Sequence, residues 1–291
     1  MARIITMPTT PNFIRSNFRL VRAVGSISSP YTGKIRTQEY DGVFWEATVT
    51  LPPMRRDVAS NWQSFLLELE GPINHFKFAD PDAITNIGTY DGSTLLSDHR
   101  INATSQTLAF NNTNNVITGS GDVFDGLAVG DFIVITGADD TANNGTHKIT
   151  TFTDANTIRV DTTLTTKTND SGISIKSNVK GATGLNLDAS SNSATGTIKK
   201  GDYLQITGGT DVNGNPVQYV MATEDATLTV NASADHYGVR IQPKLRTALA
   251  DNHVVRFATP KGLFRLTTKD VDWDADNISN YGISFSCIEV V

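Results

Sequence analysis

Gly130-Asp131-Phe132-Ile133-Val134-Ile135-Thr136-Gly137 is matched 71 residues later by Gly201-Asp202-Tyr203-Leu204-Gln205-Ile206-Thr207-Gly208; six of the eight positions are identical or exchange one aromatic for another. Each copy reads as a Gly-Asp turn, a strand and a second Gly turn, glycine being the residue that accepts positive φ where the chain reverses. Two further blocks follow in the same order. Asp154-Ala155-Asn156-Thr157-Ile158-Arg159-Val160 aligns with Asp225-Ala226 and Thr227-Leu228-Thr229-Val230, and Gly172-Ile173-Ser174-Ile175 with Gly238-Val239-Arg240-Ile241. The run predicts two small β-modules of similar design, compact barrels or sandwiches. Two copies are too few for a solenoid, which needs about three or more.

Composition agrees with that reading. Among 291 residues there are 38 Thr and 23 Asn, and of 30 acidic residues 24 are Asp and only 6 Glu, none of the latter between Glu70 and Glu224. Glu favours helices, Thr favours strands, and Asn and Asp favour turns, so a mostly helical protein is excluded. The net charge of -6 argues against a protein whose main task is wrapping nucleic acid. A single cysteine, Cys287, leaves no intrachain disulfide and no cysteine zinc site. No charged start followed by a long apolar run marks residues 1–12, so no signal peptide is expected and the chain is read as soluble and made in a cytoplasm.

The flanks have a different texture. Strands are expected at 17–24, 34–40, 43–51 and 75–79, and in the tail at 254–257, 263–267 and 282–290. Between them lies the one convincing helix, 55–70. There Val58, Trp62, Phe65, Leu66 and Leu69 fall at i, i+4, i+7, i+8 and i+11, one face at helical period. Asp57 suits the positive end of the helix dipole, and Gly71-Pro72 supplies the stop. The last strand alternates Ile283, Phe285, Cys287 and Glu289 against Ser284, Ser286, Ile288 and Val290, which fits it to close a sheet with the N-terminal strands.

Motifs of catalysis are scarce. None of His75, His99, His147, His236 and His253 lies within four residues of another, and there is no HExxH and no G-x-S-x-G. Asp270-x-Asp272-x-Asp274-x-Asp276 resembles part of a calcium loop. Asn277 and Ile283 stand where that loop needs Gly and Glu, so it reads as a solvated acidic connection. Nothing selects a glycosidase pair among the Asp residues. Arg15, Arg19 and Arg22 sit beside a strand and read as scattered surface charge, while Tyr203, Tyr219 and Tyr237 are candidates for stacking on sugars. Phe132 and Tyr203, at equivalent repeat positions, read as core strand residues. No catalytic, metal or cofactor residue is assigned, no cofactor is expected, and the chain is read as not an enzyme.

Several flank motifs resemble the distal tail proteins of long-tailed phages and related gene transfer agents. They are Phe44-Trp45-Glu46-Ala47, Leu51-Pro52-Pro53-Met54, Trp62-x-x-Phe65-Leu66 with Leu69-x-Gly71, Phe76-x-Phe78 and Asp80-Pro81. Further along come Gly201-Asp202-Tyr203-Leu204-Gln205-Ile206, Ile241-x-Pro243-x-Leu245-Arg246, Pro260-x-Gly262-x-Phe264-Arg265-Leu266, Trp273, and a final strand with Phe285 and Glu289. The likeness covers roughly 1–82 and 183–291, and 83–182 departs from it as an insertion.

The resemblance implies a β-sandwich core that assembles as a ring, commonly a homohexamer, at the distal end of the virion tail. Such a ring joins the tail tube protein to the tail hub protein, with DNA only passing through its lumen. It often carries outward modules that hold a receptor-binding protein or touch a host glycan. The expected fold is therefore mainly β: a β-sandwich core with one amphipathic α-helix (1–82 plus 241–291), an inserted small β-domain (83–182) and a second β-module resembling it (183–240). The alternatives are a carbohydrate- or host-surface-binding tail module and, weaker, an enzyme degrading a host polymer.

Overall fold

A computed structural model describes residues 2–40, 42–92, 94–189, 195–209, 214–227, 236–277 and 279–291. The protein is mainly β with one α-helix among the described residues. It divides into two compact units, Met1–Ile84 with Lys261–Val291, and Thr85–Pro260.

The first unit is built on a six-stranded sheet in the order Ile4–Ile5, His75–Phe78, Gly262–Leu266, Ser284–Glu289, Phe44–Thr50, Arg15–Val21. The first pair is parallel and the remainder antiparallel. The alternation in the last strand has its expected result. Cys287 pairs with Ala47 and Phe285 with Val49, and Phe264 pairs with Phe76, so these side chains share one buried face. The other face is polar: Arg19 makes two hydrogen bonds to the Glu46 carboxylate, and the hydroxyls of Thr48 and Ser286 lie 2.8 Å apart.

Helix Arg56–Glu68 provides the second layer over the apolar face, so the expected sandwich takes the form of a sheet backed by a helix. Trp62, Phe65, Leu66 and Leu69 are buried as the periodicity predicts. Val58 is only half-buried, and Ala59, which the apolar count passed over, is fully buried. The Trp62 ring meets Phe13 and Phe285 at 5.6 and 6.3 Å, Phe65 meets Phe76 at 5.4 Å, and the Trp62 indole N–H donates to the Thr10 carbonyl. Asp57 lies in the first turn. The helix stops because Glu70 and Gly71 both take positive φ, and a Cβ on Gly71 would stand 3.2 Å from the Lys269 backbone.

The second unit contains two closed six-stranded barrels. One uses Asn102–Asn111, Val116–Gly119, Phe132–Thr136, Gly145–Asp154, Thr157–Val160 and Lys167–Lys176. The other uses Thr94–Ser97, Gly184–Asp188, Tyr203–Thr207, Pro216–Ala222, His236–Gln242 and Val254–Arg256. With strands numbered by chain position, both rings run 1-2-5-4-3-6. The first barrel is thus nested in the connection between strands one and two of the second. The inner barrel begins where Thr94–Ser97 of the outer one has just ended.

This nesting corrects the expected boundaries. The stretch 183–240 is not self-contained, since the outer barrel takes strands from 94–97 and 254–256, and the first unit resumes at Lys261 rather than at 241. The repeat is corrected too. The Gly-Asp blocks do open equivalent strands. Strand His236–Gln242, however, occupies the ring place of Thr157–Val160, and the counterpart of Lys167–Lys176 is Val254–Arg256. Glycine followed by alternating branched residues marks a strand but not its place in a ring. Ala226–Thr227 pairs with Thr197–Ile198 outside the barrel, and Leu228, Thr229 and Val230 lie outside the described residues.

The Gly-Asp turns themselves are the same device twice. Gly130 and Gly201 have φ of 101° and 94°. Their N–H groups donate to Ile149 and Ala222, whose own N–H groups return to Asp131 and Asp202. Each aspartate is buried and accepts the N–H three residues upstream, of Ala128 or Lys199. Asp202 also accepts the N–H groups of Ile87 and Gly88.

Strand Phe132–Thr136 is buried on both faces from Phe132 to Ile135. Ile133 and Ile135 fill the inner barrel, whereas Val134 belongs to the apolar cluster of the outer one. A two-sided environment explains the unbroken apolar run, as in any strand covered on both faces. Phe132 sits where the barrels meet. The Asn186 side chain accepts its N–H and donates to its C=O, both at 2.8 Å. A Cβ on Gly184 would lie 2.1 Å from the Phe132 ring, and one on Gly238 would lie 1.9 Å from the Gly130 carbonyl, so only glycine permits the approach. Lys148 and Arg240 stand over the Phe132 ring at 5.6 and 5.2 Å and pair with Glu224 and Asp161 respectively.

Candidate self-association surface

After strand Arg15–Val21, at one edge of the sheet, the chain runs into a hairpin of Val24–Ser28 and Ile35–Glu39. Its register is regular, and Ser29 N–H to Lys34 C=O and Gly33 N–H to Ser29 C=O close the tip. Its apolar side chains face solvent: Ile27 is 78% exposed, Ile35 67% and Tyr31 95%, with Val24 and Tyr40 about half exposed. Residues directly opposite in an antiparallel pair share a face. The pairing therefore puts Val24 and Ile35 on one side and Ile27 on the other, with Gly25 making room there for the Tyr40 ring. An isolated two-stranded hairpin is marginal in water, and one apolar on both sides calls for cover on both.

Of the residues singled out by sequence, Val58, Trp62, Phe65, Leu66 and Leu69 come together under the helix as packing residues. Arg15 and Arg19 point outward from the edge strand, Arg19 to Glu46, and Arg22 lies 3.6 Å from Glu39. Tyr203, Tyr219 and Tyr237 are buried, the first two stacked 4.6 Å apart, so none offers a ring to a sugar; Phe132 is buried as well. Asp270, Asp272, Asp274 and Asp276 are exposed, and the Asp276 carboxylate is engaged with Asn280. Among the described residues no three His, Cys, Asp or Glu side chains are grouped to hold a metal ion. The Cys287 thiol is buried and its pKa pushed up by that burial. His147, lowered by burial, bonds Thr162 and the Asn143 carbonyl.

One buried charge cluster was not legible in the sequence. At the barrel junction Asp131 lies 2.9 Å from His236, both fully buried, and Arg100 reaches Asp131 at 3.3 Å and Asp98 at 3.0 Å. Asp188, opposite His236 in register, is in hydrogen-bonding contact with Asp98. Burial, and then the Asp98 charge and hydrogen bond, raise its carboxyl to about 6, with Arg100 opposing. These residues come from four separate strands or their ends, so no local spacing announces them.

Compared with known protein families and with curated proteins, the chain matches none.

Proposed function

We propose that the chain is a structural, non-enzymatic part of a long phage tail, a ring-forming adaptor between the distal end of the tail tube and the hub or receptor-binding apparatus. The observation that carries the reading is the solvent-exposed apolar hairpin that continues the strand pair Arg15–Val21 and Phe44–Thr50 beyond Val21 and Phe44. Side chains such as Ile27, Ile35 and Tyr31 are stabilised by burial, and a neighbouring copy supplies it. The motifs that resemble distal tail proteins support the reading, because Trp45, Trp62, Phe65, Phe76, Phe78, Phe264 and Phe285 all build the unit that bears the hairpin. Contacts between unlike surfaces close into rings when the rotation permits. Light scattering on the purified chain, with negative-stain imaging, tests this: closed rings of several copies are expected, and a monomer at tens of micromolar overturns it.

A further inference from the structure

The junction of the two barrels holds more negative charge than positive. Asp131, in the Gly-Asp turn of the inner barrel, and His236, on the outer barrel, are fully buried and 2.9 Å apart. Arg100 is itself nine-tenths buried, 3.3 Å from Asp131 and 3.0 Å from Asp98. Its guanidinium can only donate, and it lies 3.3 Å from His236 Nδ1. Nδ1 therefore accepts, the Nε2–H is given to Asp131, and the ring carries no charge in this arrangement. Three carboxylates, Asp98, Asp131 and Asp188, thus share one guanidinium, and Asp251 adds its charge nearby. The rings of His99 and His253 are turned to the Leu249 and Thr207 carbonyls instead.

Asp98 and Asp188 meet through their carboxyl groups. Ionised carboxylates have only acceptors, so that contact requires a proton between them. Its place in the fold is what gives it consequence. Asp98 stands where the chain leaves outer strand Thr94–Ser97 for the inner barrel, and Asp188 ends outer strand Gly184–Asp188. The Asp98 N–H donates to the Asn186 carbonyl, and the Asp98 carbonyl accepts from the Asn178 side chain. Asn186 is the residue whose side chain holds the Phe132 backbone of the inner barrel.

We propose that a proton shared by Asp98 and Asp188 is the clasp that seats the inner barrel on the outer, and that its loss loosens the seat while both barrels stay folded. Without the proton, two like charges meet on the chain that enters the inner barrel, and Arg100 is already engaged by Asp131. Asp188 is faced by Asp98 and Arg100 from that chain, by His236 across the strand pair, and by Asp251. Burial, and then the Asp98 charge and hydrogen bond, raise its carboxyl to about 6. The clasp is therefore closed in mild acid and opens as pH rises through that value.

Hydrogen exchange of the full chain, read by mass spectrometry and divided by the intrinsic chemical rate at each pH, measures the seat directly. In peptides covering 97–102 and 130–134, protection should fall about tenfold or more between pH 5 and pH 7.5, centred near 6. Peptides from 145–160 of the inner barrel and 216–222 of the outer should keep theirs. Asp188→Asn has no such proton to lose, and its amide can donate to Asp98, so its junction should stay protected at both pH values. A parent whose junction is insensitive to pH overturns the proposal, as does an equal fall in Asp188→Asn. A fall shared by all peptides overturns it too, because the proton then serves the whole fold and not the seat. Should the variant fail to fold, the parent decides: a fall centred below pH 5 or above pH 7 overturns the assignment to this pair.

Discussion

The side-chain amide of Asn186 pairs with the backbone of Phe132 as a neighbouring strand would, accepting a hydrogen bond from its N–H and donating one to its C=O. One residue thereby extends the hydrogen bonding of the outer barrel into the inner. Asn178 in turn donates to the Asn186 carbonyl and accepts its N–H, so the arrangement is fixed from behind. Replacing Asn186 by Ala strands a buried donor and a buried acceptor, each costing about 1–3 kcal/mol. Urea unfolding of Asn186→Ala should show a loss of at least about 2 kcal/mol. A change below about 0.5 kcal/mol would mean that water replaces the amide.

The close approach at Gly238 gives a second expectation. A methyl group there meets the Gly130 carbonyl, a backbone atom that cannot rotate away. Gly238→Ala should cost about 1–3 kcal/mol, the range for forcing atoms into a packed site. Gly282→Ala, where nothing lies within 4 Å of the new carbon, is the control and should stay within about 0.5 kcal/mol.

In the first unit, Trp62 joins the helix to both the sheet and the segment carrying Thr10 and Phe13. Trp62→Ala should cost about 3–5 kcal/mol. Val58→Ala, at a half-buried site on the same helix, should cost clearly less. Chemical denaturation of the two variants side by side would show the order, and equal losses would contradict the packing described.

Asp188 makes the junction sensitive to pH. Its carboxyl is raised from 3.8 to about 6, so between those values the folded chain holds a proton that the unfolded chain has released. The contribution is fully present below about pH 4 and is lost as pH rises through 6. The facing groups are Asp98, Arg100, Asp251 and His236. Asp188→Asn keeps a neutral side chain at every pH. Its melting temperature relative to the parent should therefore be higher at pH 7.5 than at pH 4.5, and a difference that does not change with pH would exclude the effect.

Much of this architecture could be read before any coordinates. The helical face of Trp62, Phe65 and Leu66 needs only a period, and the alternation of Phe285 and Cys287 needs only a pleat. The Gly-Asp turns were legible because the same backbone bonds demand the same two residues at 130–131 and 201–202. What escaped was non-local. Ring position depends on which strand closes on which, and nothing within 236–242 says that it neighbours 216–222. Ile27 and Ile35 are β-branched residues of the kind that buried strands use, and nothing in 24–39 alone marks them as exposed. The Asp131–His236 and Asp98–Asp188 contacts join residues about 90 to 105 positions apart, beyond the reach of any motif.

The nested barrels also set the order in which the three structures become complete during synthesis. The chain opens a sheet, then an outer barrel, then an inner one, and completes them in reverse. The inner ring has all its strands once Lys176 is made, the outer once Arg256 is made, and the sheet only with Ser284–Glu289. Strands Thr94–Ser97 and Gly184–Asp188 are neighbours separated by a whole barrel, a loop whose closure entropy would be large were it unstructured. Early folding of the inner barrel turns that loop into a compact body whose ends are already tied by the Ser177 N–H and the Ile101 carbonyl. The ribosome, releasing the chain from its N-terminus, would thus deliver the three structures from the inside outward.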